Sequence, residues 1–368
     1  MKTLLIYPAI FFLTLSCQAQ YEGGYHLRPD ASSDGDTDGD AGSDSDTDSD
    51  TDADPPINWT IPPTGQGKCY NDSGEITCPG TAGSSSCGTT DFCGQDAQYP
   101  TTRIFTVTTV SGKKLVEDSA TGLIWTQEFE TGKTWQQAVD YCDALDYGGH
   151  TDWRLPSPIE LATITNLGTY SPAIDATAFP GTPSEWFWSS SSYANATSNA
   201  WIVLFPNGHG YNDVKFSTYD ARCVCSRPLK IGSFEPLVIS SERVVKDLGT
   251  GLMWQGCVAG QSGTDCTGTA TDMTWKDALS YCEGLSWAGH DDWRLPNAHE
   301  LQSIVDYGKS NPAIDTTAFP NAPNSDFWSS SSNAFSTSYA WFVNFVNGVV
   351  NFHDKFNTRY ARCVCSSS

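Results

Sequence analysis

In residues 134–145, "TWQQAVDYCDAL", apolar side chains recur at Trp135, Ala138, Val139, Cys142 and Leu145. That three-and-four spacing puts them on one face of a helix, and Thr134 stands where its N-cap belongs. Residues 274–285, "TWKDALSYCEGL", repeat the pattern. A second helix is predicted from Ser157, because Ser157, Pro158 and Glu160 supply an N-cap, a first-turn proline and a capping-box glutamate. Asn297 and Glu300 are the counterparts further on. The hydrophobic period then drops to two. "AWFVNFVNGVVNF" (340–352) reads as a hairpin turning at Asn347-Gly348, and Asn207-Gly208 occupies the same place earlier. "ARCVC" (221–225 and 361–365) is predicted to be a short central strand. Two helices followed by antiparallel strands make an α+β domain.

The pattern occurs twice because the chain is duplicated. Between residues 134–225 and 274–365 the offset is a constant 140, and 49 of 92 positions are identical. Upstream, "TGLIW" (121–125) matches "TGLMW" (250–254) at an offset of 129, so the second copy carries an eleven-residue insertion. A period this long marks a repeated globular domain rather than a solenoid. The expected organisation is repeat 1 at 104–230, a linker at 231–240 and repeat 2 at 241–368. A linker this short predicts that the copies touch.

The N-terminal part differs in composition. Residues 1–17 read as a secretory signal: Lys2, an apolar run from Leu4 to Leu15, then Ser16 and Cys17. Cys17 after Ser16 resembles the lipid-modified cysteine of bacterial lipoproteins; ordinary cleavage near Ala19 is the alternative. An exported, surface-anchored bacterial lipoprotein is expected, with the membrane as partner through that N-terminal lipid. Residues 18–56 form an acidic spacer predicted to be disordered. Its 31–54 stretch holds ten Asp and no Lys or Arg, too little apolar surface to offset ordering entropy. Asp34, Asp36, Asp38 and Gly39 match the start of an EF-hand loop, but Ser45 replaces the final glutamate, so no formed calcium site is expected.

Thirteen cysteines in an exported chain argue for disulfides. In the Cys-rich segment 57–103, Cys69–Cys78 and Cys87–Cys93 are the simplest pairs. Cys257 and Cys266 would staple the insertion. Cys142 would reach Cys223 or Cys225, and Cys282 would reach Cys363 or Cys365. One cysteine per copy is left over: an inter-repeat Cys225–Cys365 bond or a bond to the 69–93 region is expected ahead of a free thiol.

"TGLIW", "TW..A..YC", "DWRLP...EL", "FWSSS", a Trp-rich hairpin and "ARCV", in this order, resemble the domain family named after the C-terminal domain of the Lcl collagen-like adhesin. The resemblance covers most of residues 104–366. It implies a C-type-lectin-like α+β fold, two tandem copies here, in exported bacterial proteins. For the named member it implies adhesion through sulfated polysaccharides. It supplies no catalytic residues.

Asp152-Trp153-Arg154 and Asp292-Trp293-Arg294 lie between the two helices of each copy. A sugar site could use such a carboxylate, guanidinium and aromatic ring. Their expected role is structural: Trp153 fills the core, and Arg154 ties down a carboxylate or loop carbonyls through its planar fork. Ser189–Ser192 beside Trp188, and Ser329–Ser332 beside Trp328, offer hydroxyls near an aromatic ring, though ordinary strand-end structure is the preferred explanation. After the hairpin turn the copies diverge: His209, Tyr211 and Asp213 face Val349, Asn351 and His353 in alignment. Trp188, Trp328 and this divergent strand are therefore the candidate ligand surface.

No G-x-S-x-G, phosphate loop, dinucleotide fingerprint or Cys-x-x-Cys metal pair occurs. No catalytic residue, metal or cofactor is expected. Each copy holds eight Lys/Arg against thirteen Asp/Glu. Binding to nucleic acid or a sulfated chain normally needs a basic patch, and none is predicted. The expected function is non-enzymatic binding of a glycan or an envelope protein. An oxidase resembling the formylglycine-generating enzymes, or a purely architectural role, is the alternative.

Overall fold

The computed structural model describes residues 59–84 and 86–366. The signal at 1–17, Cys17 and the spacer at 18–56 lie outside the described residues. Residues 57–368 form one compact unit.

The Cys-rich segment carries a small ladder, β1 (Cys69–Tyr70) with β2 (Glu75–Ile76). Repeat 1 opens with β3 (Phe105–Val110), β4 (Lys113–Asp118) and β5 (Ile124–Thr126), then β6 (Glu130–Lys133), α1 (Trp135–Asp143) and α2 (Pro158–Thr163). It closes with β7 (Trp186–Tyr193), β8 (Ala196–Leu204), β9 (His209–Val214), β10 (Tyr219–Ala221) and β11 (Val224–Cys225). Repeat 2 follows the same course through β12 (Phe234–Ile239), β13 (Glu242–Asp247) and β14 (Leu252–Gln255). Its insertion forms β15 (Gln261–Ser262) and β16 (Thr267–Gly268). Then come α3 (Trp275–Glu283), α4 (Ala298–Ser303), β17 (Asp326–Ser332), β18 (Tyr339–Asn344), β19 (Val350–Asp354) and β20 (Val364–Ser366).

The caps do what their residue types predict. Ser157 and Glu160 close a capping box at the start of α2, and Asn297 and Glu300 do so at α4. The hairpins turn at Asn-Gly, with Ile202 opposite Tyr211 in one and Phe342 opposite Asn351 in the other. One expectation is corrected. β11 and β20 are not central; each ends a four-stranded sheet, in the orders β11-β5-β4-β3 and β12-β13-β14-β20. Their outer edges are covered by the "DWR" segments, since Arg154 bridges Val224 and Arg294 bridges Val364. Edges of two and three residues covered in this way leave little backbone unpaired.

Apart from the β1-β2 ladder and the β15-β16 ladder of the insertion, the remaining strands build one sheet from both copies, in the order β17-β18-β19-β9-β8-β7-β10-β6. The seam is β9 against β19, antiparallel, with Gly210 opposite Val350. These two residues are equivalent at the offset of 140. An equivalent pair facing itself is the mark of a two-fold contact, here between repeats of one chain. Side chains follow the same symmetry. Leu167 of repeat 1 enters the core of repeat 2, and its equivalent Tyr307 packs edge-on against Trp201, ring centroids 4.8 Å apart.

The Cys-rich segment breaks this symmetry: its disulfide-bonded part docks on repeat 2, while Thr60, Thr64 and Arg103 at its two ends hydrogen-bond to repeat 1. Glu283 accepts hydrogen bonds from Gly83 N and from the Tyr99 hydroxyl. Lys355 lies over the Trp275 ring at 4.2 Å and donates to Asn71 O. The equivalent of Glu283 is Asp143, one methylene shorter, and Trp135 stays half-buried where Trp275 is fully buried. At one point backbone packs on backbone: a Cβ on Gly88 would meet Gly284 Cα at 2.7 Å. Gly88→Ala should therefore cost about 1–3 kcal/mol, the usual scale of overpacking. It should also speed tryptic cleavage after exposed Lys68, read by thermal unfolding and timed proteolysis; unchanged cleavage would remove the docking role of Gly88.

Candidate functional site

The "DWR" corner is built around a charge pair. Arg154 Nη1 and Nη2 donate to the two Glu160 oxygens at 2.7 Å each, and Arg294 meets Glu300 the same way at 2.6 Å. Burial alone would raise the Glu160 pKa, but the Arg154 hydrogen bonds and charge outweigh it and hold the carboxyl below its ordinary value. Trp153 and Trp293 are buried, their indole N–H groups donating to the Tyr147 and Trp287 carbonyls. Asp152 and Asp292 point outward. His150 and His290 sit in the tight turns beside them, ring edges against Trp153 and Trp293. A second pair of cations, Arg222 and Arg362 of "ARC", escaped sequence reading. Both are fully buried, donating to carbonyls of the strand after "TGL.W" and lying over the Phe179 and Phe319 rings.

The cysteines pair locally and across each domain: Cys69–Cys78, Cys87–Cys93, Cys142–Cys223, Cys257–Cys266 and Cys282–Cys363. The Cys225–Cys365 bond does not form, and the cysteines of the 69–93 region bond only one another. Cys365 is instead a free, buried thiol. It lies in its own repeat beside Asp292 and His290, while the copies join through other faces. Burial, with Asp292 nearby, pushes its pKa up to about 12. His290, Asp292 and Cys365 offer donor atoms within 4.8 Å of one another, whereas at the equivalent place in repeat 1 His150 and Asp152 lie beside Cys225, which is disulfide-bonded and offers no thiolate.

The candidate ligand surface is divided by the fold. Trp188 and Trp328 are fully buried, donating to Lys133 O and Met273 O, so neither ring can receive a sugar. Ser189 and Ser329 are buried too, donating to Trp201 O and Trp341 O. His209 stacks on Phe352 and hydrogen-bonds Asn351 across the seam, so these two join the repeats. Asp213 accepts from the Tyr219 hydroxyl, and His353 accepts from Asp354 N. Tyr211 remains exposed. Divergence between the hairpins thus reflects, at His209 and Asn351, two sides of one contact.

The open concavity lies elsewhere, where both repeats and the linker meet. It has a volume of about 340 Å³, within the size range of small-ligand clefts, and such clefts favour domain interfaces. Ser157, Ser191, Asp306, Tyr307 and Asp315 give it a polar lining, and Phe234 contributes an aromatic wall. Asp306 pairs with Lys309 at 2.9 Å, and Asp315 accepts from the Thr317 and Ala318 amides. No cation lines the cavity. Sequence reasoning missed it because its residues come from five separated stretches, none of them a motif.

With the corner, disulfides and hairpins in place, the family can be stated. The Lcl C-terminal domain family matches residues 114–225 and 243–365, more than half of the chain. The chain belongs to that family. No curated protein matches it. The two Lcl C-terminal domains begin on β4 and β13 and end on β11 and β20, so each match spans one corner and one long disulfide.

The two-fold contact gives the open cleft a mate, formed around Asn297, His299, Ser331, Asn166 and Leu167, and the N-terminal segment fills it. Leu167 N donates to Thr64 O at 2.6 Å, and Gln66 Nε2 donates to Leu167 O at 2.8 Å and Ser332 O at 2.6 Å. His299 Nδ1 lies 3.2 Å from Pro62 O, and Ser331 donates to Asp96. Burial lowers the His299 pKa to about 4, so the ring is neutral in the folded chain while an unfolded one takes a proton near 6.5. Its contribution to stability is present above 6.5 and lost as pH falls towards 4. Asp96 runs oppositely. Burial raises its pKa from 3.8 to about 6, so its contribution is full below 3.8 and lost as pH rises through 6.

Two outcomes follow. Relative to the parent chain, His299→Gln should gain stability on going from pH 7 to 4 and Asp96→Asn should lose it, read as opposite shifts in melting temperature; parallel shifts would mean that neither group titrates as placed. The Cys365 thiol should resist a thiol-specific reagent in the native protein and react once unfolded, and rapid native labelling would contradict its burial.

Proposed function

We propose that the chain is a surface-tethered, non-enzymatic binding protein, anchored through Cys17, whose two domains have the C-type-lectin-like fold and hold a ligand in the inter-repeat cleft. The observation that carries this reading is the cleft itself: a concavity of about 340 Å³ with hydroxyl, carboxylate and ring walls and no cation. Such a lining suits an uncharged polar ligand, a glycan or a segment of an envelope protein, and disfavours a sulfated one. The non-enzymatic reading draws on the histidines. His150 and His290 pack on tryptophans, His209 lies in the seam, His299 is buried under the N-terminal segment, and His353 caps a turn.

The oxidase alternative needs a pair of thiols. Among the described residues, eleven cysteines are in disulfides and Cys365 stands without a second free thiol beside it. The tether reading rests on the Cys17 motif and the acidic spacer; no helix of the described residues is long and apolar enough to cross a membrane.

The test is a glycan array and a panel of envelope proteins probed with the intact chain and with Ser191→Phe, which places a ring in the cleft. Retention of an uncharged ligand by the parent, lost in the variant, is the expected result. Binding that prefers sulfated polysaccharides, or turnover of any probe, would overturn the proposal.

A further inference from the structure

The open cleft and the filled one are equivalent places in a two-fold arrangement, and the filled one shows what such a place accepts. There the extended segment Pro62–Gln66 is held mostly through backbone atoms: Leu167 N to Thr64 O, the Gln66 side chain to Leu167 O and Ser332 O, and His299 to Pro62 O. Gly65 lies in the left-handed region, φ 80°, and a Cβ there would come within 2.1 Å of the Asn166 amide. Only glycine passes that point.

In the open cleft the backbone groups of the Leu167 position and the serine hydroxyl recur unused, while the His299 position is changed. Tyr307 stands for Leu167, and its backbone N–H and C=O have no hydrogen-bond partner among the described residues. Ser191 stands for Ser331; where Ser331 binds Ala298 N and Asp96, the Ser191 hydroxyl has no partner among the described residues. Its neighbour cannot supply one, because Pro158 replaces Ala298 and lacks the N–H. Ile159 stands for His299 and Asp306 for Asn166, making this cleft more apolar at one end and more acidic at the other.

We propose that the open cleft binds an extended polypeptide segment of another protein, read through its backbone at Tyr307 as the chain's own segment is read at Leu167. The inference rests on the cleft being the binding site proposed above and names its ligand class. The segment carries a glycine where the chain passes Asp306 and a small apolar residue against Ile159. It is neutral or basic, because Asp306 and Asp315 line the path and would repel an acidic one. The Asp-rich stretch 31–54 of the chain itself is excluded on the same ground.

The probe is a synthetic peptide with the sequence of residues 60–68, "TIPPTGQGK", titrated into the intact protein by calorimetry and by amide NMR. One-to-one binding is expected, with shifts at the Tyr307 and Ser191 amides and none at Leu167. Replacing the first glycine of the peptide by valine, or the protein's Ser191→Phe, should weaken it at least about tenfold. Shifts at Leu167 would mean that the peptide only displaces the tethered segment, and would overturn the proposal. So would the absence of binding, or binding indifferent to both changes. A neutral oligosaccharide mixture forms a parallel arm. If it binds and Ser191→Phe abolishes that, while the peptide does not bind, the cleft stands as the ligand site and its peptide character falls. If neither ligand depends on Ser191, both readings fall.

Discussion

Gly210 and Val350 occupy the same position in two copies of one sequence, and they face each other across an antiparallel strand pair. A surface that meets its own copy must be self-complementary, so each contact made once must be made again with the roles reversed. Leu167 in the core of repeat 2 and Tyr307 against Trp201 are one such pair. Once the copies meet this way, everything at the seam comes in twos, including the cleft. The single N-terminal segment can fill only one of them. Glu283, Gly284 and His299 decide which, because repeat 1 offers Asp143, Ala144 and Ile159 instead.

Each domain is held to this arrangement by a corner that leaves little freedom. A buried ion pair adds little net stability over apolar packing, yet removing one partner strands a charge and is costly. The Arg154–Glu160 fork therefore fixes geometry: it ties the "DWR" edge to the first turn of α2 and orients the helix that faces α4. Arg222 and Arg362 work from inside, each donating from Nη1 to two carbonyls and lying over ring faces, with Nε left unpaired in both among the described residues. The Cys142–Cys223 and Cys282–Cys363 bonds, each spanning 81 residues, then close helix onto final strand. In the chain-entropy account such loops contribute about 4 kcal/mol.

Much of this was legible in the residues. The helix caps, Asn-Gly turns, stapled insertion and long disulfides are local or short-list choices, set by hydrogen-bond geometry and by cysteine chemistry. The ligand surface was not. Trp188 and Trp328 look like sugar platforms until the strands carry them into the core, and divergence at His209 and Asn351 looks like ligand choice until the two are seen to touch. Cys365 was expected to be bonded because an even count of cysteines was presumed to pair completely. Spacing cannot say which of two cysteines in "CVC" a helix cysteine will reach.

The order of residues alone therefore settled that there are two copies, where their helices begin, where their hairpins turn and which family they join. Each of those rests on contacts within a dozen residues or on identity between copies. The folded chain decided how the copies meet, which cleft is filled and which backbone groups are left unpaired. Those depend on surfaces assembled from stretches more than a hundred residues apart, and no periodicity along the chain records them.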